Sequence, residues 1–319
     1  MSHRPFHLLQ GPLRTPDGWT LLLRRASRGG RPGDGPPILL VPGYGMNASI
    51  FAFHPEGHGL LEHLLGAGFD PWAIDLRGTS TSAPPLRGAP ARLRDQAWID
   101  LPTALERVAH VTRQERVHAI GCSLGGALLY AHVGRDAHRV DRLVTMGSPL
   151  AWSDRSLPVE AFSRLGRLAG VPIRGTRAAA RLALPAVRRF APGVLSFYLN
   201  PAVTDTTRSG PLIATVEDPH PDVSIHLSGW IRRGNLVLEG HDVAEGLRTC
   251  DRPLLVVYAT GDGVVPPSAA LAATRYAAGP VDTLAIDDPA HRVSHVDLFL
   301  GRHAQDRVYA PIARWLHAA

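Results

Sequence analysis

Residues 117–130 read Val117-His118-Ala119-Ile120-Gly121-Cys122-Ser123-Leu124-Gly125-Gly126-Ala127-Leu128-Leu129-Tyr130. The short apolar run 117–120 has the length and composition of a buried strand, and 127–130 are good helix formers. Ser123 falls between the two. A side chain held up at a strand-to-helix junction needs a tight, strained turn. Small residues two before and two after it, here Gly121 and Gly125, let the backbones approach without Cβ clashes. The helix that begins there also aims its free N–H groups at developing negative charge. Ser123 therefore reads as a nucleophile, and Cys122 beside it as a small apolar packing residue.

A serine nucleophile needs a base and an acid to orient that base. The run 254–258, Leu-Leu-Val-Val-Tyr, ends in Ala259-Thr260-Gly261-Asp262-Gly263, which puts Asp262 in a loop just beyond a buried strand. Ser294-His295-Val296-Asp297 follows the last expected strand, 281–286. The expected roles are His295 as general base and Asp262 as the group that fixes its tautomer and stabilises the imidazolium. His291 is the rival base, and a carboxylate from another strand end is the rival acid. Two backbone N–H groups should hold the oxyanion: that of Leu124, and one in Pro42-Gly43-Tyr44-Gly45-Met46, where Tyr44 is favoured.

Outward from these motifs, short apolar runs at 38–41, 71–76, 117–121, 143–146, 254–258 and 281–286 are separated by helix-length segments such as 60–65 and 98–111. That alternation predicts an α/β chain with a mostly parallel, doubly wound sheet covered by helices on both faces. Alternating stretches at 7–13 and 20–25, on either side of Thr15-Pro16-Asp17-Gly18, predict an antiparallel hairpin. Residues 151–250 break the rhythm with Pro172, Pro185, Pro192, Pro201, Pro211 and Pro221. They are expected to be an inserted helical cap or lid, leaving 1–150 and 251–319 as the core. Asp75 and Arg77 read as an internal ion pair shaping a loop beside the site. His54, Glu56, His58, Glu62 and His63 cluster, but their spacing matches no metal motif, so surface and capping roles are expected and no metal. No phosphate-cradling glycine motif follows a strand, so no cofactor is expected.

The 319 residues carry a formal net charge of +6, with hydrophobic residues at 45% and charged ones at 19%, the balance of a globular chain with a sizeable core. There is no Lys, so all 34 basic side chains are Arg. Seven of them lie in residues 161–190, which hold no Asp or Glu. Arg174, Arg177, Arg181 and Arg188 would share one helical face if Pro185 does not break the helix. A solvated face is the plain reading, and peripheral contact with an anionic membrane the sharper one. Nucleic acid is disfavoured because no recognition motif or aromatic platform accompanies the stripe. Two cysteines exclude a disulfide framework, no apolar leader is visible, and no run reaches the roughly 20 apolar residues of a membrane span, so a cytoplasmic location is expected.

Ser123, Asp262 and His295 occur in the chain order of the α/β-hydrolase triad. With Val41-Pro42-Gly43-Tyr44-Gly45, Asp75-Leu76-Arg77-Gly78 and Gly261-Asp262, the chain resembles the α/β-hydrolase superfamily, in particular its serine lipase and esterase branch. The segment 294–301 is also similar to the C-terminal motif of polyhydroxyalkanoate synthases and acid-lipase-like hydrolases. Pro42 stands where many members have His, and the polyester synthases have Cys at the nucleophile. The resemblance implies a cofactor-free enzyme cleaving carboxylic esters, small or lipid-like, through an acyl-enzyme. Acyl transfer with the same triad, or binding without catalysis on the same scaffold, are the alternatives.

Overall fold

The computed structural model describes residues 5–164, 174–207 and 209–318. Strands β1 (Phe6–Arg14) and β2 (Thr20–Arg28) pair antiparallel along their whole length, as their alternation predicts. The turn between them is closed by Gly18 N–H donating to the Thr15 carbonyl at 3.0 Å. A two-residue strand, β3 (Arg31–Pro32), folds back to pair antiparallel with the end of β2. The apolar runs then become β4 (Pro37–Val41), β5 (Asp70–Asp75), β6 (Val117–Cys122) and β7 (Val140–Met146). After a separate small hairpin, β8 (Val237–Leu238) and β9 (His241–Asp242), come β10 (Leu254–Ala259) and β11 (Val281–Ile286).

The main sheet runs in the order β1-β2-β5-β4-β6-β7-β10-β11, parallel from β5 onward. Alternate residues of each strand feed two cores. Leu39, Val41, Ala119, Leu143 and Val256 pack on one face with Leu105, Val108 and Leu128 from the helices Leu101–Thr112 and Leu124–Val133. Ile38, Leu40, Ile120, Val144 and Leu255 pack on the other with Leu61, Leu64 and Ile312 from Leu60–Gly66 and Ala310–His317. This is an α/β hydrolase fold. The chain leaves β4 toward β5 on one side and returns to β6 on the other. The C-terminal ends of β4 and β6 therefore meet where the winding reverses, and a crevice opens there.

Two expectations need correction. Asp75 and Arg77 do not pair with each other. Asp75 lies on β5 opposite Leu22 of β2, so Arg24, diagonal on the same face, reaches it at 2.6 Å. Arg77, past the strand end, is held by Asp100 and Asp17, each at 2.7 Å. In residues 151–250 the arginine-bearing helix is Thr176–Phe190 and runs through Pro185, but Arg174 precedes it, outside the N-cap Gly175. The expected four-arginine face therefore shrinks to Arg177, Arg181 and Arg188, while Arg167 lies outside the described residues. Helices Leu157–Arg164, Ser209–Ala214 and Pro221–Arg233 lie in the same interval. Among the described residues no helix is long and apolar enough to cross a membrane.

Candidate active site

Ser123 has φ 50° and ψ −122°, a left-handed conformation forced between β6 and the helix Leu124–Val133. The surrounding glycines are steric requirements. A Cβ on Gly121 would lie 2.4 Å from Gly126 Cα, and one on Gly125 would lie 2.3 Å from the Val41 carbonyl oxygen. Gly43, from the loop after β4, crosses so close that its Cβ would stand 2.9 Å from Ser123 Cβ. Cys122 points into the opposite core. It is fully buried there, and burial pushes its thiol up to about 12.

His295 and Asp262 come together as buried neighbours: Nδ1 of the imidazole lies 2.6 Å from Asp262 Oδ2. The other carboxylate oxygen accepts the Val264 and Val265 N–H groups, both at 2.8 Å, so the acid cannot swing away from the ring. The rival His291 is exposed, on the Asp288 turn. Gly147, at φ 54°, lets the backbone pass under the imidazole; a Cβ there would lie 3.1 Å from His295 Cε1. Below the ring segment, Asp297 accepts N–H groups from Ser294 at 2.7 Å and Asn200 at 3.1 Å and the Thr204 hydroxyl at 2.7 Å. Burial nevertheless raises its carboxyl to about 6.

Ser123 and His295 line one cavity of 220 Å³, together with Tyr44, Leu124, Trp152, Phe162, Phe197, Tyr198, Leu227 and Trp230. Ser123 Oγ makes no hydrogen bond to the imidazole or to any other described residue. The N–H groups of Tyr44 and Leu124 likewise have no acceptor among the described residues. For Leu124 the cause is its place at the first turn of a helix, where N–H groups lack an intrahelical carbonyl. Burial raises the Tyr44 phenol, which bonds Ser224 Oγ at 2.8 Å, and its ring meets Phe162 edge-on with centroids 6.0 Å apart.

Several supports had no signal in the sequence. Tyr198 lies over His295, ring centroids 6.0 Å apart. Glu217 is buried and ties three segments together. It accepts from Asn47 Nδ2 at 2.7 Å, Ser80 N–H at 3.0 Å and Arg177 Nη2 at 2.7 Å, while its own N–H donates to the Gly45 carbonyl. The loop 42–47 beside Ser123 is thus stitched to residues 214–217. In the histidine-rich segment Glu56 and His58 lie on the surface as expected, whereas His54 does not. His54 is buried, with Nε2 3.0 Å from the Gly301 carbonyl; His58 pairs with Glu62, and His63 packs edge-on to Tyr309. Among the described residues no group of acidic, His and Cys side chains could hold a metal ion.

A family model described as the alpha/beta hydrolase fold matches residues 36–296. The chain belongs to the alpha/beta hydrolase fold family. Solved structures share the fold along nearly the whole chain. A hydrolase from Pseudomonas aeruginosa is 18% identical with TM-score 0.65, covering 97% of this chain and 98% of its own. A thermophilic esterase from Thermogutta terrifontis is 20% identical with TM-score 0.61 and the same coverage, 97% and 98%. A 2-hydroxy-6-oxo-6-phenylhexa-2,4-dienoate hydrolase from a Rhodococcus species is 19% identical with TM-score 0.62, again covering 97% and 98%. No curated protein matches the chain.

Proposed function

We propose that the chain is a serine hydrolase of neutral, lipophilic carboxylic esters. The observation that carries the reading is the convergence on one cavity of the strained Ser123 turn and a His295 bonded at 2.6 Å to a buried Asp262. Family membership supports hydrolysis as the reaction class. Ser123 Oγ attacks the ester carbonyl carbon while His295 Nε2 takes its proton, and the carbonyl electron pair moves onto oxygen. The N–H groups of Leu124 and Tyr44 stabilise that oxyanion. Collapse re-forms the carbonyl and breaks the bond to the leaving alcohol, which receives the proton from His295. Water then attacks the acyl-enzyme by the same route, releasing the acid and restoring Ser123. Asp262 holds the imidazole in the tautomer that presents Nε2 as the acceptor. Transfer to an alcohol would use the same groups, so product analysis with competing alcohols separates it from hydrolysis.

The lining supports the substrate class. Its described side chains are aromatic and aliphatic, with Ser123 and His295 the chemically active exceptions and no Arg, Asp or Glu among them. The named substrate of the Rhodococcus hydrolase is a carboxylate. An unpaired carboxylate moved into such a cavity would lose several kcal/mol of hydration. Wild type is expected to label with a fluorophosphonate probe and to hydrolyse p-nitrophenyl butyrate about tenfold faster than the acetate, from two more buried methylenes. The monoester of succinate should be at least about 100-fold poorer than butyrate. Absence of labelling would defeat the serine mechanism, and a preference for acetate or succinate would defeat the lipophilic pocket.

The close pass of Gly43 yields a further expectation. Gly43→Ala places a methyl group 2.9 Å from Ser123 Cβ and so displaces either the nucleophile or the loop that carries the Tyr44 N–H. Its kcat should fall about 100-fold or more, the scale of a lost oxyanion donor, with a melting temperature close to wild type. Steady-state kinetics and a thermal melt on the same preparation check both halves.

A further inference from the structure

The helix Thr176–Phe190 contains no buried residue. A helix on a folded chain normally buries an apolar stripe, and this one leaves much of its stripe in water. Leu182, Ala186 and Phe190 recur at four-residue steps with Ala179 and Ala183 beside them, so all five share a side. On that side Leu182 is 82% and Phe190 84% exposed. The side turned to the protein is a different one, formed by the half-buried Thr176, Arg177, Ala180, Leu184 and Val187.

The charges on the helix divide in the same way. Arg177 is committed to the buried Glu217 at 2.7 Å, an anchor that fixes the helix to the body of the protein. Arg181, Arg188 and Arg189 are exposed, and no carboxylate of the described residues pairs with them. Residues 161–190 hold no Asp or Glu that could neutralise them. Arg189 stands beside the exposed Leu and Phe, and Arg181 and Arg188 flank the solvent side across from them, a combination complementary to one kind of surface. Phosphates match the planar guanidinium fork, and an acyl boundary accepts the apolar stripe.

We propose that Thr176–Phe190 is a membrane-surface helix that lies in the headgroup layer of an anionic bilayer. Leu182 and Phe190 reach the acyl boundary while Arg181, Arg188 and Arg189 bind lipid phosphates. Shortly after Phe190 the chain reaches Phe197 and Tyr198, in the wall of the cavity that would receive a lipophilic substrate.

The test is co-sedimentation of the full-length protein with vesicles of equimolar phosphatidylcholine and phosphatidylglycerol, against vesicles of phosphatidylcholine alone, at low and high salt. The expected result is binding to the anionic vesicles only, weakened by salt. Arg181→Ala/Arg188→Ala/Arg189→Ala should lower partitioning about 100-fold, and Leu182→Ser/Phe190→Ser should weaken it with every arginine in place. All these side chains are exposed and none lines the cavity that holds Ser123, so both variants should keep wild-type turnover of a water-soluble ester and a wild-type circular dichroism spectrum. Equal partitioning of the variants and wild type would overturn the proposal. So would absence of vesicle binding with a concentration-dependent dimer that Phe190→Ser dissolves, since the stripe would then serve a second copy of the chain. Vesicle binding needs no turnover, so its failure is distinguishable from failure of the esterase reading.

Discussion

Ser123→Ala is expected to lower kcat for p-nitrophenyl butyrate by about 10,000-fold or more, with fluorophosphonate labelling lost and the fold unchanged. The size follows from the way a nucleophile and its base act as a unit. Removing either one leaves only the oxyanion donors and binding, so His295→Ala should fall to a similar floor and the double variant no lower. Ser123→Gly separates catalysis from stability. At φ 50° a Ser pays backbone strain of about 1–3 kcal/mol that Gly does not. Ser123→Gly should therefore be as inactive as Ser123→Ala yet melt at a higher temperature than either Ser123→Ala or wild type. A Ser123→Gly protein that melts lower than Ser123→Ala would show that the turn is not strained. Turnover retained in Ser123→Ala would remove the residue from the mechanism.

Arg77→Ala is expected to cost about 3–5 kcal/mol of folding stability, a large part of what a domain has. Arg77 is almost completely buried and donates to Asp100 through Nε at 2.9 Å and Nη2 at 2.7 Å, with Asp17 at 2.7 Å on its other side. Burial already raises the Asp100 carboxyl to about 6, against the pull of Arg77. Removing the guanidinium leaves that carboxylate buried without its partner. The double variant Arg77→Met/Asp100→Leu should recover part of the loss, because no orphaned charge remains. It should not recover all of it, since the Arg77 N–H, which donates to Asp100 at 3.0 Å, would also lose its acceptor. Denaturant midpoints of the three proteins check the ordering. A double variant less stable than Arg77→Ala would mean that the backbone N–H accepted by Asp100 outweighs the cost of its orphaned charge.

Much of the architecture is legible along the chain because it follows local rules. A strand buried on both faces must be a short apolar run, and a strand-to-helix turn this tight needs Gly121 and Gly125, as their contacts with Gly126 and the Val41 carbonyl bear out. The hairpin follows from a two-residue period, and the placement of Asp262 and His295 from their position just past strands of the sheet. Helix limits were less legible. Residues 98–111 read as one helix, whereas the α-helix is Leu101–Thr112, preceded by a wider turn at Gln96–Asp100 that carries the partner of Arg77.

Long-range pairing is where local rules fail. The spacing of Asp75 and Arg77 suggests a pair, but β2 and the Gln96–Asp100 turn supply closer partners for each. Nothing near Glu217 in sequence announces that it joins Asn47, Ser80 and Arg177, and nothing near Tyr198 announces that it lies over His295. The sequence by itself determined the order of strands and helices, the strained turn at Ser123 and the loops that bear Asp262 and His295, since steric and hydrophobic demands act within a few residues. Only the tertiary structure decided which carboxylate meets which cation, which rings wall the cavity and which side of Thr176–Phe190 stays in water. Those outcomes depend on sheet register and helix packing, which bring together residues that no local pattern relates.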